Sequence, residues 1–269
     1  MTEGDWLISH PYLLPVAEFH SQVGKAAATL QPVLASIPNW NEYESDYLAG
    51  IPLLHSRVSS IDLKSVAILL KSLTRIVDPV TLPGNLGREV SDLQTELRED
   101  VNASQLAVEA VVLRNATPHS GLLKYLVWTL LADYLSRVVT AFGNWRDEER
   151  WLRQYCPTCG SPPAMAQLVA IDNGRVRLLS CGGCKTRWRY RRTACPFCDN
   201  EDHTRLAFLV AAGEEGLRID YCESCRGYIK TYSGSGNESV FLSDWTSLHL
   251  DVVARDHGLN RFAGSLYEM

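Results

Sequence analysis

Cysteine is absent from most of this 269-residue chain, since all eight cysteines fall within residues 156–225. The sequence also lacks the HExxH helix of zinc proteases, the GxSxG turn of serine hydrolases and the P-loop of nucleotide-binding proteins. Its most apolar segment, residues 122–142, is interrupted by three charged side chains, and its first residues lack the basic and apolar regions of a secretory signal. These absences give no support to those enzyme classes, and they predict a cytoplasmic protein without membrane insertion.

The cysteines that are present form four Cys-x-x-Cys pairs. A two-residue gap lets both sulfurs of a tight turn point at one ion, and two such turns supply the four thiolates of a tetrahedral site. The pattern therefore predicts two metal ions. We assign the ligands in sequential order: Cys156, Cys159, Cys181 and Cys184 at site one, and Cys195, Cys198, Cys222 and Cys225 at site two. Interleaved pairing is the alternative, and sulfur ligation by itself suits zinc and iron equally.

The cysteine-rich stretch is an internal duplication. Its third and fourth pairs follow the first and second by 39 and 41 residues. Between its pairs, each repeat has two short β-rich segments separated by a turn rich in Gly, Asn or Asp, which is typical of zinc-ribbon or rubredoxin-like modules. The residue after each second cysteine should tolerate a positive φ. Gly160 and Asp199 fit that position, whereas Gly227 lies one residue further on.

Other uses of the cysteines fit the pattern less well. Four adjacent pairs suit metal better than a disulfide-stapled secreted fold, and a thioredoxin-like motif usually occurs once, at a helix N-terminus beside a βαβ pattern. His203 lies near Cys198 and could replace a ligand, although both sites already have four sulfurs. Closed four-sulfur sites leave no open position for a substrate, so we expect no enzyme activity.

The rest of the chain predicts helices. Apolar residues recur at helical spacing in residues 12–37, 61–77, 90–101 and 104–113, and from Pro118 towards Trp145. Pro32 is expected to kink or break the first of these helices. A Gly/Ser linker is expected at 232–239, followed by a helix capped by Ser243 or Asp244. We therefore predict an α+β protein: an N-terminal helix bundle, two tandem rubredoxin-like or zinc-ribbon modules with four cysteines each, and a C-terminal helix. The predicted domains are residues 1–150, 151–192, 193–235 and 236–269.

A basic and aromatic run, KTRWRYRR at residues 185–192, admits two interpretations. It has the composition of a nucleic-acid patch, in which cations contact phosphates and aromatic rings stack on bases. It also fits a strand with one packed face, whose cations offset the charge of the thiolates. We favour the packed strand, because the whole chain is acidic, with a net charge of −5, and no second basic patch supports the first. We therefore expect no nucleic-acid partner.

Several of these motifs, taken in order, resemble the formate dehydrogenase accessory protein family, FdhE. The resemblance lies in QYCPTCGSPP at 154–163, the CGGC, CPFC and CESC turns, Lys230-Thr231-Tyr232, and residues 243–251. It is close over residues 154–258 and looser upstream, where Tyr47-Leu48 and residues 50–54 are similar. The basic run and Trp245-Thr246 depart from the family pattern.

The resemblance implies a cytoplasmic, non-catalytic maturation factor that binds the catalytic subunit of a respiratory formate dehydrogenase. It also implies rubredoxin-like iron at the eight cysteines, with zinc as the alternative. Two hypotheses of other classes are kept: a zinc-ribbon protein that binds nucleic acid through its basic run, and a thiol redox or sulfur-transfer enzyme. The first predicts affinity that falls steeply with salt, and the second predicts reactive low-pKa cysteines.

Overall fold

The computed structural model describes residues 2–31, 33–59, 61–82, 85–100, 102–112, 120–211, 213–214 and 216–265. They form two compact units. The helical unit contains Tyr12–Tyr43 and Ser56–Trp145, and the sheet unit contains the chain up to Pro11, Glu44–His55 and Arg146–Ser265. The predicted division into four domains stays a prediction.

Ten α-helices and six β-strands lie within the described residues. The helices are α1 (Glu3–Ser9), α2 (Leu14–Ala28), α3 (Trp40–Ala49), α4 (Lys64–Ile76), α5 (Leu86–Glu99), α6 (Ala103–Val112), α7 (Ser120–Trp145), α8 (Glu148–Trp151), α9 (Glu238–Phe241) and α10 (Leu248–Asp256). The strands are β1 (Met165–Ile171), β2 (Gly174–Ser180), β3 (Arg187–Tyr190), β4 (Leu206–Leu209), β5 (Leu217–Cys222) and β6 (Tyr228–Ser233). The predicted α+β fold class is confirmed.

The helical unit is built around α4 and α7. Helix α4 packs against α2, α5, α6 and α7. Its Val66, Leu70 and Leu73 recur at helical spacing and are all fully buried. The helix ends before Asp78, whose carboxylate accepts a hydrogen bond from the Val80 N–H and starts a short 3₁₀ turn.

The helix predicted for residues 12–37 ends before Pro32, the residue expected to kink or break it, which itself lies outside the described residues. Helix α2 ends at Ala28, and the described residues between 31 and 39 have no regular secondary structure. The Thr29 and Leu30 N–H groups still bond back to helical carbonyls, so the helix closes in a tight last turn. The predicted helices at 61–77, 90–101 and 104–113 correspond to α4, α5 and α6, although residues 101 and 113 lie outside the described residues.

The apolar segment at residues 122–142 lies in α7, the longest described helix. Its Leu122, Leu126, Leu131 and Leu135 are fully buried. The predicted start of this helix, Pro118, lies outside the described residues. In the part of the chain that the structure describes, no helix combines the length and the apolarity needed to cross a bilayer.

The six strands form one sheet in the order β3-β2-β1-β6-β5-β4. Strands β1 to β3 of the first cysteine repeat pair antiparallel, and so do β4 to β6 of the second. The repeats join through a parallel pairing of β1 with β6, in which Met165 lies opposite Lys230 and Leu168 opposite Ser233. The duplicated repeats therefore share one continuous sheet.

The segment after the second repeat differs from the predicted linker. Strand β6 runs through Ser233 and α9 begins at Glu238, so only residues 234–237 connect the two elements. The C-terminal helix also begins later than predicted, because Asp244–Ser247 form a 3₁₀ turn and α10 starts at Leu248. Trp245 lies in that turn with only 2% of its surface exposed, so packing rather than capping sets the helix start.

Candidate metal centres

All four cysteine pairs form the same tight turn. In each turn, the backbone N–H of the first cysteine donates to the carbonyl of the residue five positions later. The bonds are Cys156 to Ser161 (2.8 Å), Cys181 to Thr186 (2.9 Å), Cys195 to Asn200 (2.9 Å) and Cys222 to Gly227 (3.0 Å). The residue after each second cysteine has a left-handed backbone, with φ of 70° at Gly160, 61° at Lys185, 61° at Asp199 and 60° at Arg226. The turn is therefore a property of the Cys-x-x-Cys spacing.

The prediction that a glycine or aspartate serves this backbone position holds for two of the four turns. In the last turn the positive φ falls on Arg226, and not on Gly227 one residue later. Gly227 is required for a different reason, because a Cβ there would lie 2.5 Å from the Phe262 ring and 3.0 Å from Phe197. Lys185 and Arg226 accept a backbone that side chains usually avoid, so the surrounding hydrogen bonds must impose it.

At site one the four sulfurs converge in the protein interior. The Sγ atoms of Cys156 and Cys184 lie 3.4 Å apart, as do those of Cys159 and Cys181, and Cys184 lies 3.7 Å from Cys159. A tetrahedral ion with metal–sulfur bonds of about 2.3 Å would separate the sulfurs by about 3.8 Å. None of the four residues is more than 2% exposed. The site could hold one ion with small outward shifts of the sulfurs.

A distant segment covers the first turn of site one. The Leu53 N–H donates to the Pro157 carbonyl at 2.9 Å, and the Leu54 N–H donates to the Thr158 carbonyl at 2.8 Å. His55 Nε2 lies 3.2 Å from the Cys159 carbonyl, which can only accept. Leu53 and Leu54 belong to the upstream 50–54 segment, and these contacts give that segment a defined place at the site.

Hydroxyl groups surround the sulfurs of site one. The Thr186 hydroxyl lies 3.2 Å from the Cys184 sulfur, and the Ser161 hydroxyl lies 3.3 Å from the Cys159 sulfur. Thr158 and Thr186 are fully buried and share a 2.7 Å hydrogen bond between their hydroxyls. The thiols donate to these hydroxyls, but once the cysteines are thiolates the hydroxyls can donate instead, which stabilises the form of cysteine that binds metal.

Site two has the same ligand set in a more open setting. The Cys195 and Cys225 sulfurs lie 3.7 Å apart and those of Cys198 and Cys222 lie 3.8 Å apart, close to the tetrahedral spacing. Cys198 is exposed and Cys225 is partly exposed. The backbone N–H groups two residues after Cys195 and Cys225 approach their sulfurs, each at 3.4 Å. Site two therefore has the geometry of a metal centre that solvent can reach.

The electrostatics of the thiols call for a cation. Burial raises the pKa of Cys156 and of Cys184 well above the ordinary value, and burial also raises the pKa of Cys195. At Cys222 burial acts in the same direction, but backbone N–H groups of Cys225 and Ser224 outweigh it and lower the pKa to about 7. Four sulfurs this close cannot all ionise unless a positive ion neutralises them.

The basic run at residues 185–192 contributes strand β3. Trp188 is fully buried and Tyr190 is 2% exposed, so the aromatic rings lie inside the protein. Three of the four arginines of the run have protein partners: Arg187 bonds the Gln167 side chain, Arg189 pairs with Glu149, and Arg191 pairs with Asp199 and Glu201. Rings buried in this way are not available to stack on bases, and this arrangement matches the packed-strand interpretation.

A buried charge network connects β6 to α10 and was not found by sequence reasoning. Lys230 is 1% exposed, and its Nζ lies 2.6 Å from Asp244 Oδ1 and 2.9 Å from Asp251 Oδ2. Arg261 bonds the same two carboxylates, each at 2.7 Å. Burial alone would raise the pKa of Asp244, but Lys230 and Arg261 hold it well below the ordinary value. The signal was the pair of motifs at residues 230–232 and 243–251, whose side chains meet here.

His203 does not join site two. It lies in a 3₁₀ turn before β4 and is exposed, and the ligand group of site two contains only the four cysteines. The structure brings together the two sets of four cysteines in sequential order. Their role as metal ligands stays a prediction.

Known proteins resemble this chain in sequence. The central-domain model of FdhE matches residues 155–192, which contain site one and strands β1 to β3. The FdhE homologue of Aquifex aeolicus is 26% identical over 252 residues, covering 92% of this chain and 83% of that protein. The homologue of Pseudomonas aeruginosa is 32% identical over 122 residues, covering 42% of this chain and 39% of its own length.

A solved structure has a similar fold. The crystal structure of the FdhE protein from Pseudomonas aeruginosa superimposes with a TM-score of 0.59 at 22% identity, covering 91% of this chain and 84% of that one. The molecule is thus a protein with two four-cysteine clusters on one mixed sheet. The resemblance to the FdhE family is confirmed, because the family's central-domain model, two homologues and a solved structure all match this chain.

Proposed function

We propose that this protein is a non-catalytic accessory factor for the assembly of formate dehydrogenase, acting through contact with its catalytic subunit. The observation that carries the proposal is the presence of two complete four-cysteine clusters on the fold and sequence of the FdhE family. The thiols at both sites are grouped as closed sets, which suits structure and recognition better than catalysis.

Each four-cysteine cluster is proposed to hold one metal ion. The fit rests on the donor set: each site has four sulfurs at spacings of 3.4–3.8 Å, and hydroxyl or backbone N–H groups lie beside them. Sulfur ligation suits zinc and iron, and the family resemblance favours iron. When bound, iron would add the capacity for one-electron change, and zinc would not.

The protein's own residues suggest what the ions stabilise. At site one, one cysteine turn precedes β1 and the other follows β2, so an ion would close the two ends of that hairpin on each other. The first of these turns also anchors residues 53–55 through three hydrogen bonds. Metal at site one would therefore help to position a segment from far upstream. Binding of the formate dehydrogenase catalytic subunit is expected to require site one together with the segment 53–55 that it anchors.

Co-purification from the organism that encodes the chain tests the proposal. A tagged protein from cells grown anaerobically with nitrate or formate should retain the catalytic subunit of a formate dehydrogenase. The double variant C181S/C184S should lose that partner, because site one and the segment it anchors lose their order. The control is Asp256→Asn, a change at an exposed position of α10, which should retain the partner.

Two outcomes would contradict the proposal. Failure of the unaltered protein to retain the catalytic subunit, with nucleic acid recovered in its place, would favour the nucleic-acid hypothesis and direct attention to Arg187, Arg189 and Arg191. The second outcome concerns Cys198, which is exposed and can be alkylated. Alkylation of Cys198 without release of metal would favour thiol chemistry over a metal-binding role.

A further inference from the structure

Three side chains outside the cysteine sites form a compact cluster in the sheet unit. His10 follows α1, Glu214 lies in the turn between β4 and β5, and His249 lies in the first turn of α10. Glu214 Oε1 lies 2.9 Å from His10 Nε2 and 2.8 Å from His249 Nε2. His10 and Glu214 are 204 positions apart along the chain, and the fold brings them together with His249.

The cluster is well enclosed. The side chains of His10 and Glu214 are 9% and 6% exposed, and that of His249 is 17% exposed. The His10 ring stacks on Trp6, with the ring centroids 3.8 Å apart, and lies 5.3 Å from the His249 ring. Trp6 is itself held by a 2.9 Å hydrogen bond from its Nε1 to the Thr246 carbonyl. The surrounding packing therefore sets the direction in which His10 Nε2 points.

The hydrogen bonds of His10 define its tautomer. Its Nδ1 lies 3.0 Å from the Trp6 carbonyl, and a carbonyl oxygen can only accept, so Nδ1 carries a proton. A neutral His10 ring then presents the lone pair of Nε2 to the carboxylate of Glu214. Two acceptors at 2.9 Å attract each other only through a cation between them, which is either a proton, carried by the ring or by the carboxyl, or a metal ion.

Two further observations favour a metal ion. An Nδ1–H bonded to a backbone carbonyl is the usual arrangement that orients a metal-binding histidine through Nε2. Glu214 Oε2 is buried and has no hydrogen-bond partner among the described residues. One oxygen of the carboxylate therefore has no group to offset the cost of its burial. Bidentate or bridging contact with an ion would satisfy this oxygen, and a second ring proton on His10 would not.

We propose that His10, Glu214 and His249 form a third metal site, which binds one divalent transition ion such as zinc or ferrous iron. Two imidazole nitrogens and one carboxylate are a donor set for these ions, and three protein ligands leave coordination positions for water or another small ligand. The three ligand atoms lie within 4.8 Å of one another. An ion with bonds of about 2.1 Å needs its ligand atoms about 3.4 Å apart, so small outward shifts of the three side chains complete the site.

The donor atoms of the site suit a cation, because a carboxylate supplies negative charge and imidazole nitrogens supply lone pairs. The site differs from the cysteine centres in having nitrogen and oxygen donors, so it can be observed separately from them.

Cobalt titration of the full chain, with both four-cysteine sites first filled with zinc, tests the site. We expect one further equivalent of Co²⁺ to bind with d–d absorption bands and without thiolate-to-cobalt charge-transfer bands. The isosteric variant Glu214→Gln and the variant His249→Ala should each weaken this binding by about 100-fold or more, since loss of a ligand's hydrogen-bond partner alone costs about 10- to 100-fold. His257→Ala is the matched control, because His257 also bonds a backbone carbonyl through Nδ1 but is exposed and outside the cluster.

Circular dichroism and the zinc content of the four-cysteine sites establish that each variant is folded. Because His249 is the most exposed of the three, its variant serves if Glu214→Gln does not fold. The proposal is overturned if the unaltered protein binds no further equivalent of cobalt. It is also overturned if the cobalt bound by the zinc-filled protein shows thiolate charge-transfer bands, or if folded Glu214→Gln and His249→Ala bind cobalt as tightly as His257→Ala does.

Discussion

The two cysteine sites have identical ligand types and the same turn geometry, yet they differ in their surroundings. At site one every cysteine is at most 2% exposed, and residues 53–55 cover one of its turns. At site two Cys198 is exposed and Cys225 partly so. The comparison teaches that duplicated ligand motifs can lie in different environments. Site one is part of the protein core, whereas site two is accessible to solvent and to other molecules.

The largest expected difference is in folding. Replacing Cys181 and Cys184 by serine should abolish the cooperative unfolding transition of the sheet unit, because structural thiolate sites supply about 10–16 kcal/mol of apparent binding free energy. The equivalent change at the accessible site, C198S/C225S, should lower the melting temperature but leave a cooperative transition. Thermal unfolding followed by circular dichroism, with metal content measured beside it, compares the two. Equal loss of structure in both variants would break the comparison.

The buried ion pairs beside β6 should give the next largest effect. Asp244→Asn should reduce the free energy of unfolding by about 3–5 kcal/mol, because it leaves Lys230 and Arg261 buried with one carboxylate instead of two. The control Asp256→Asn, at the exposed end of α10, should change it by about 0.5 kcal/mol or less. Urea unfolding at neutral pH measures both, and a similar value for the two variants would contradict the assignment.

The same network predicts a pH dependence. The pKa of Asp244 is lowered in the folded protein, so its stabilisation is present above the unfolded value of about 3.9 and is lost as the pH falls through the folded pKa. The stability gap between the unaltered protein and Asp244→Asn should therefore be constant near neutral pH and shrink only below about pH 4. Urea unfolding at a series of pH values measures the gap. A gap that closes between about pH 6 and pH 5 would point to a group with an ordinary pKa higher than that of aspartate.

Metal release should separate the two sites in time. A chelator should remove one ion quickly and the second slowly, because site two needs less local opening to expose its sulfurs. A difference of about 1.4 kcal/mol in opening free energy would make the rates differ about tenfold. Alkylation and mass spectrometry should find Cys198 and Cys225 labelled in the fast phase. Release of both ions in one phase would show that the sites open together.

The smallest expected effects on stability come from the residues with a positive φ in the cysteine turns. Lys185→Gly at site one should be neutral or stabilising by up to about 1 kcal/mol, because glycine removes the strain of a positive φ and the change loses one exposed hydrogen bond, from Lys185 Nζ to the Gly182 carbonyl. Arg226→Gly at site two should be destabilising by about 1 kcal/mol, because its guanidinium bonds the His257 and Gly258 carbonyls and these bonds outweigh the relief of strain. The midpoints of urea unfolding, measured with metal bound, show whether each variant is more or less stable than the unaltered protein.

Local features of the molecule could be predicted from neighbouring residues. The helices α4, α5 and α6 follow from apolar stripes at helical spacing, and the stripe of α4 is buried as expected. The linker and the start of α10 could not be predicted in this way. Ser233, the last residue of β6, pairs with Leu168 of β1, and Trp245 is buried in a 3₁₀ turn, so both depend on residues far away in the chain.

By itself, the sequence determined the sets of sulfurs and the shape of the turns that carry them, because a two-residue gap between cysteines constrains only local backbone. Tertiary structure alone decided the parallel pairing of β1 with β6, the cover that residues 53–55 place over site one, and the different exposure of the two sites. It also decided the meeting of His10, Glu214 and His249. These contacts join residues separated by tens to hundreds of positions, and their free energy depends on packing that no local pattern records.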